Sequence, residues 1–525
     1  MTVTDRWQGW SAMPENDQAH VAADGPGDWM RDQFARYRDV RGRIERDTLP
    51  LATSVDGLAF EFQASLHGLE LKRGGYVVLE HEGGDRFGQI TELTSSNDRV
   101  DVETAPGVTT SILVRRAVGS GLLLDRGGPF HDALARPARP DEVGAWFDGT
   151  RRRDRASLVI GELLLAPGVP AELDSGGFNR HTFMCGQSGS GKTYSLGLLL
   201  EKVLAETTLR IVILDPNSDY VGLGRVRDGA DPARAERHQA IVGGDVAVWS
   251  NEPGADHALK LRFAELDTRT QGAVLGLDPI ADRDEYAVLT DLLRTNDHGR
   301  PFFTGFDQLI GSSNPSAQHL GMRAANLGVL DWPVWGPDGR SLLEELAAPT
   351  SRCTVVDLGS LQTLEEQRLV ADAVLGSLWA SRRDRQPVLV VIDEAHNICS
   401  AEPDNALSRI TTERAIQIAA EGRKYGLYVL VSTQRPNKVH ENVVSQCDNL
   451  LLMRMNSMAD VGDLTRLFSF VPPGLMAGAP SFGLGQALVA GRLFPQGSAY
   501  VQMGDRVSQE GGADVPTTWA SVRTS

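Results

Sequence analysis

The sequence predicts an α/β fold: a core of buried parallel strands, split by a helical insertion and preceded by a small β-barrel. Three observations carry this. The apolar run His181-Thr182-Phe183-Met184-Cys185 leads straight into a glycine-rich loop, and Val388-Leu389-Val390-Val391-Ile392 leads straight into Asp393-Glu394. Strands of an open parallel sheet end in this way, with their loops gathered along one edge. Roughly 200 residues separate Lys192 from Asp393, far more than one strand–helix–strand unit needs, so a subdomain lies between them. Upstream, from Leu49 to Leu124, short alternating segments broken by turn residues mark a small barrel.

Residues 1–27 are polar and rich in Gly, Ala, Asp and Pro, a composition that favours flexibility. Asp28 is placed to cap a helix running to about Asp47, which serves either as a surface helix or as a docking arm. The barrel strands are drawn from Gly57–Phe62, Tyr76–His81, Phe87–Leu93 and Thr110–Val114, with a turn at Glu82-Gly83-Gly84-Asp85. Residues 127–155 read as a linker whose Arg151-Arg152-Arg153 run suits either solvation or phosphate contact. Tyr194 to Val203 has the apolar content of a helix, and Leu209 to Leu214 is a buried strand ending in Asp215-Pro216-Asn217-Ser218-Asp219-Tyr220. Phe263 to about Leu346 is helical in pattern, with a 3.6-residue period over Glu285–Leu293. A helix from about Thr411 to Lys424 is closed by Gly426, and the strand Leu427–Ser432 then runs into Thr433-Gln434-Arg435-Pro436.

Composition narrows the field. The chain carries a net charge of −17, which argues against coating nucleic acid with the whole surface but allows a local basic channel. No apolar run reaches the roughly 18 residues that span a bilayer, and the opening M-T-V-T-D-R-W lacks a signal-peptide pattern. Cys185, Cys353, Cys399 and Cys447 are far apart and without C-x-x-C spacing, as reduced thiols of a cytoplasmic protein are.

Gly186 to Thr193 reads G-Q-S-G-S-G-K-T and fits G-x-x-x-x-G-K-[ST], the phosphate-binding loop of nucleoside triphosphatases. Gly186, Gly189 and Gly191 let backbone N–H groups turn onto phosphate oxygens, at a helix N-terminus that favours anions. The nucleotide-binding set is Gly186, Ser188, Gly189, Ser190, Gly191, Lys192, Thr193 and Tyr194, with Asp215 at the end of the next strand. Lys192 would reach the β- and γ-phosphates of ATP, and Thr193 and Asp393 would hold Mg2+. Glu394 would polarise the attacking water. Strand adjacency lands Gln434 beside Glu394, either to orient that water and sense the γ-phosphate or to cap a turn. Arg423, in Glu421-Gly422-Arg423-Lys424, sits at the edge opposite the phosphates, either as an ordinary helix-end cation or as a finger reaching a neighbour's nucleotide. Asp393-Glu394-Ala395-His396 is not H-E-x-x-H, which excludes a zinc protease motif.

Several segments in order resemble the HerA branch of the FtsK–HerA superfamily of ring-forming, DNA-pumping ATPases. They are Arg180-His181, the phosphate loop, Asp215-Pro216, Asp393-Glu394-Ala395-His396, Glu421-Gly422-Arg423-Lys424-Tyr425-Gly426, Ser432-Thr433-Gln434-Arg435-Pro436 and Ser445-Gln446-Cys447. The resemblance implies a RecA-like P-loop ATPase core with an inserted helical subdomain, an N-terminal β-barrel, and a homohexamer with ATP sites between subunits. It makes Arg423 the trans-acting finger and Gln434 the sensor. It implies double-stranded DNA as substrate, and a nuclease (NurA in archaea) or another effector of phage defence as partner. Asn217 and Ser218 depart from the D-P-H-G-[ED]-Y pattern of many relatives. No L-S-G-G-Q signature points to an ABC ATPase, and no Q-R-x-G-R-x-G-R to a superfamily 2 helicase.

The domain boundaries expected are an extension with a short helix over 1–48, a barrel over 49–126, a linker over 127–155, and a first core part over 156–255. A helical insertion over 256–346 and a second core part over 347–525 follow. The function expected is an ATP-dependent DNA translocase or helicase, with loops from about Asn397 to Arg414 gripping phosphates. The alternative is an ATP-gated scaffold that switches a partner effector without net DNA movement.

Overall fold

The computed structural model describes residues 26–105, 108–125, 127–295, 306–336 and 339–511. The expected flexible segment over residues 1–27 lies almost wholly outside the described residues. The chain divides into two compact units, one ending at Ala138 and one beginning at Arg139.

The first unit is a helix, Pro26–Arg46, followed by six strands: β1 (Leu51–Ser54), β2 (Ala59–Ser65), β3 (Tyr76–Glu80), β4 (Arg86–Ala105), β5 (Val108–Leu123) and β6 (Phe130–Pro137). They close a barrel in the order β1-β2-β5-β4-β3-β6. Alternation sorts the side chains: in β2, Phe60, Phe62 and Ala64 are buried while Ala59, Glu61 and Gln63 are exposed. Gly119 and Gly121 of β5 make room for the two rings. A Cβ on Gly121 would lie 2.3 Å from Gln89 O and 2.4 Å from Phe60 Cζ. β4 and β5 stay paired as far as Ala105 and Val108, and the helix lies along β5, where Glu45 Oε1 accepts from Arg115 N at 3.2 Å.

The expected linker over 127–155 needs correction. β6 occupies its first part and pairs with both β1 and β3, so it is the strand that closes the barrel. Phe130, Ala133 and Ala135 are its buried positions, and a second helix, Pro140–Thr150, follows at once. Pro137 and Pro140 punctuate these elements instead of opening a free segment.

The second unit is built on one twelve-stranded sheet. Its strands are β7 (Ser157–Leu163), β8 (Pro170–Asp174), β9 (His181–Cys185), β10 (Arg210–Asp215), β11 (Val246–Ser250), β12 (His257–Ala258), β13 (Cys353–Asp357), β14 (Val388–Ile392), β15 (Leu427–Thr433), β16 (Cys447–Met453), β17 (Gln486–Gly491) and β18 (Ser498–Met503). Their order is β12-β11-β13-β10-β14-β15-β9-β16-β17-β18-β7-β8. The strands from β12 to β16 run parallel, and β17, β18, β7 and β8 continue antiparallel. β9, β13 and β14 are buried at every position, as strands covered on both faces are. Helices Lys192–Glu206, Leu364–Ala380 and Ala406–Glu421 make the crossovers between parallel strands.

Between β12 and β13 the chain forms helices Thr268–Val274, Arg283–Thr295, Phe306–Ile310, Pro315–Leu327 and Leu342–Ala347. Leu275, Leu289, Leu320 and Leu342 share one buried cluster with Val212 and Val356 of the sheet, so the insertion packs directly on the core. Arg414 locks the two together: Nε donates to Asp372 Oδ1 and Nη2 to Asp267 Oδ2, both at 2.7 Å. That contact corrects the expected phosphate-gripping stretch. The helix starts at Ala406 instead of about Thr411, capped by Asn405, and it buries Arg414 in ion pairs. Among the described residues no helix is long and apolar enough to cross a membrane.

The barrel depends on its glycines. Gly121→Val should push a branched side chain into the Gln89 carbonyl and the Phe60 ring, a clash that overpacked cores meet at about 1–3 kcal/mol or more. Limited proteolysis should then cut the first unit faster than the parent, with the second unit's cleavage pattern unchanged.

Candidate functional site

Three parallel strands in register bring the motif residues to one edge. Ile392 of β14 pairs with Val431 of β15, and Thr433 of β15 pairs with Cys185 of β9. The next residues along each strand, Asp393 with Glu394, Gln434 and Gly186, therefore emerge side by side. β15 lies between the other two, so Gln434 faces both loops.

The phosphate loop follows β9. Gly189 and Gly191 have φ of 72° and 89°, left-handed conformations that turn the chain into the helix at Lys192. The loop is pinned from outside: Gln187 N donates to Arg454 O at 2.9 Å, Arg454 Nη2 to Gly189 O at 2.8 Å, and Gly485 N to Ser190 O at 3.0 Å. The first N–H groups of a helix have no partner within it, so those after Gly191 face the cleft as anion donors.

Around Lys192 the buried charges meet. Its Nζ donates to Asp393 Oδ1 at 2.7 Å and to Ser432 Oγ at 2.9 Å, and lies 3.3 Å from Glu394 Oε1. Burial works against its charge, yet Asp393 and Glu394 outweigh that and raise its pKa. Gln434 Nε2 donates to Glu394 Oε1 at 2.7 Å. Glu394 has φ 40°, a left-handed conformation uncommon outside glycine, and strain of this kind gathers at functional sites. Its other oxygen, Oε2, is buried without a hydrogen bond, although His396 Nδ1 stands 3.3 Å away. A buried carboxylate oxygen left open in this way can receive a proton from a water molecule.

The loop after β10 supports Asp393 from the other side. Asp215 accepts from Asp219 N at 2.9 Å and Tyr220 N at 2.8 Å, which holds Tyr220 so that its hydroxyl donates to Asp393 Oδ2 at 3.2 Å. Burial pushes the Asp215 carboxyl up to about 8, against those two N–H groups. Asp215 thus organises its own loop and stands apart from the cleft.

A cleft of about 600 Å3 opens above the loop. Ser188, Gly189, Gly191, Lys192, Thr193, Tyr194 and Gln434 line it, whereas Gly186 and the fully buried Ser190 lie beneath. Its far wall is Leu484, Gly485, Gln502, Met503, Gly504, Asp505 and Glu510, none of which carries a local motif. The left-handed glycines, the helix N-terminus and this volume together fit a nucleoside triphosphate. A larger cleft of about 910 Å3 lies at the opposite sheet edge, near Arg210, Val388 and Leu427, away from this chemistry.

Arg423 is not brought to this site. It sits in a 3-10 turn, Gly422–Tyr425, ahead of β15, while Gln434 follows β15. Its Nη1 donates to Asp448 Oδ2 at 2.9 Å.

Lys192 is the counter-ion of two buried carboxylates. Lys192→Met should therefore lower the thermal midpoint of the nucleotide-free protein, because removing one member of a buried pair costs about 3–5 kcal/mol. Differential scanning calorimetry measures this, with the exposed Arg237→Ala, whose pair with Glu206 lies at the surface, as a near-neutral reference.

Residues 158–318 match the family described as the central domain of helicase HerA. A probable helicase of Methanocaldococcus jannaschii is 30% identical over 81% of this chain and 89% of its own length. The DNA double-strand break repair helicase HerA of Saccharolobus solfataricus is 22% identical, over 81% of this chain and 86% of its own. Among solved structures, VirB4 of Thermoanaerobacter pseudethanolicus aligns with 66% of this chain and 96% of its own at 16% identity and a TM-score of 0.45. Two motif-bearing strand ends, a phosphate loop held by its neighbours and a relative of this identity across nearly its whole length lead to one conclusion: the chain belongs to the HerA-type P-loop ATPases.

Proposed function

We propose that this protein is a homohexameric, ATP-driven translocase of double-stranded DNA that works in the cytoplasm with a nuclease or a defence effector. The observation that carries the reading is the contact set of Lys192, Asp393, Glu394 and Gln434 at one sheet edge. The relatives support the substrate class, since those named HerA are helicases of DNA double-strand break repair.

The chemistry follows from what each side chain holds. Magnesium-bound ATP supplies the γ-phosphoryl group to be cleaved. Thr193 and Asp393 are the residues that would hold the magnesium ion together with phosphate oxygens. Lys192 leaves its carboxylate partners for the β- and γ-phosphates. That move frees Glu394 to accept a proton from the attacking water, and Gln434, already bonded to Glu394, orients the same water. Tyr220 keeps Asp393 in place meanwhile. Arg423 acts on the nucleotide of the adjacent subunit, because β15 separates it from its own by seven residues, roughly 23 Å at ~3.3 Å per residue. Grip on DNA is through phosphates, with little base preference.

Glu394→Gln should bind ATP and hold it unhydrolysed, and Lys192→Ala should bind it weakly. Parent protein should hydrolyse ATP faster with duplex DNA and displace a streptavidin roadblock from it. Hydrolysis indifferent to DNA, with no displacement, overturns the motor reading in favour of an ATP-gated scaffold.

Arg423→Ala should lose roughly 10³- to 10⁵-fold in hydrolysis rate, the scale of arginine fingers, with ATP affinity near normal. Rings mixed from Arg423→Ala and Glu394→Gln subunits, each inactive alone, should regain activity at interfaces where one chain supplies Glu394 and the other Arg423. Absence of recovery in rings verified by native mass spectrometry would return Arg423 to a helix-end cation.

A further inference from the structure

The sheet edge opposite the cleft carries a charged cluster of its own. Arg180 directly precedes β9, Arg423 precedes β15, and Asp448 lies near the start of β16. Asp448 Oδ2 accepts from Arg423 Nη1 at 2.9 Å and lies 3.2 Å from Arg180 Nε. All three side chains are part exposed, at 35%, 37% and 47% for Arg423, Arg180 and Asp448.

Backbone geometry singles Asp448 out. The register of β16 against β9 slips between Cys447 and Asn449, so Asp448 has no partner in that ladder. Gly491, which pairs with Asn449 from β17, has φ 103°, and a Cβ there would sit 2.2 Å from Asp448 O. Only glycine permits that approach, and Asn449 beside it is tied down on both sides, donating to Gly177 O and Thr182 Oγ1 and accepting from Leu493 N. The bulge therefore holds the Asp448 carboxylate at a defined place on the rim.

One carboxylate facing two guanidinium groups leaves a net positive charge, so the cluster is not neutral in itself. A two-point fork would occupy the guanidinium face that phosphate needs. Asp448 instead takes a single N–H of Arg423, and a guanidinium carries five. Arg180 Nε approaches the same carboxylate oxygen at 3.2 Å, a second cation on Asp448. The rest of Arg423 is thus held in one orientation with most of its donors unspent.

We propose that Asp448 is a positioning residue that presents Arg423 to the triphosphate of a second copy of this chain. The proposal rests on the trans assignment of Arg423, and it adds what fixes that arginine. Misplacing a reacting or stabilising group by about 1 Å can cost on the order of 10²-fold in rate, whereas binding is far less sensitive.

The test uses full-length rings with saturating duplex DNA. Asp448→Ala should lower kcat for ATP hydrolysis about 10- to 100-fold with KM for ATP within about twofold of the parent, and Asp448→Glu should restore most of the rate. Rings mixing Asp448→Ala with Glu394→Gln subunits should recover activity, because Asp448 serves the neighbour's nucleotide. Should Asp448→Ala fail to assemble, Asp448→Asn, of the same shape and without the charge, takes its place with the same split between kcat and KM. Parent-level kcat in the Asp448 variant, alongside an inactive Arg423→Ala, overturns the proposal while leaving the trans reading intact. A fully active Arg423→Ala removes both. Equal losses in kcat and KM that Asp448→Glu does not repair would reduce Asp448 to an ordinary surface ion pair.

Discussion

Lys192 is the shared counter-ion of Asp393 and Glu394 in a buried pocket, and much of the second unit is arranged to make that contact possible. Three charges taken out of water cost several kcal/mol each unless geometry compensates, so their positions have to be exact to within a hydrogen bond. Exactness comes from register. β14, β15 and β9 are parallel, central and buried, and a slip of one residue in any of them would turn its loop to the wrong side. The loop glycines and the left-handed Glu394 are the local distortions this meeting demands.

The pocket is supported from directions far apart in the chain. Asp215 orders the loop after β10 so that the Tyr220 hydroxyl meets Asp393. The segment after β18 passes behind the phosphate-loop helix, with Arg506 almost wholly buried above Gly197. Arg506 N donates to Tyr194 OH at 2.7 Å, Glu201 accepts from Val507 N and Ser508 N, and Gly511 N donates to Asp219 O at 3.0 Å. This strap ties the helix to the Tyr220 loop and sets Asp505 and Glu510 on the cleft wall.

The sheet also separates two chemistries. Carboxyl ends of the strands carry the anion-binding loop and the carboxylates, and the amino ends carry Arg180, Arg423 and Asp448. A rigid parallel sheet keeps these charges about one strand length apart, so the arginines do not collapse onto their own phosphate site. In a ring, the same separation would let one subunit's cations face the next subunit's cleft.

The sequence by itself determined the phosphate loop, the paired carboxylates and the Gln434 turn, because each is a short motif attached to one apolar strand. The barrel, the parallel core and the helical insertion were legible from alternation, buried runs and spacing for the same reason. Tertiary structure alone decided the rest. β6 was hidden between prolines, since its role as closing strand depends on β1 and β3 rather than on its own pattern. The flank of β17, β18, β7 and β8 joins segments more than 300 residues apart, and no local period encodes that pairing. Tyr220 and Ser432 lie inside motif segments that give them no partner, and Asp448 lies in none. They acquire partners only when strand order brings Asp393, Lys192 and Arg423 to them, because a hydrogen bond is set by distance in space and local periodicity reports only the face a residue occupies.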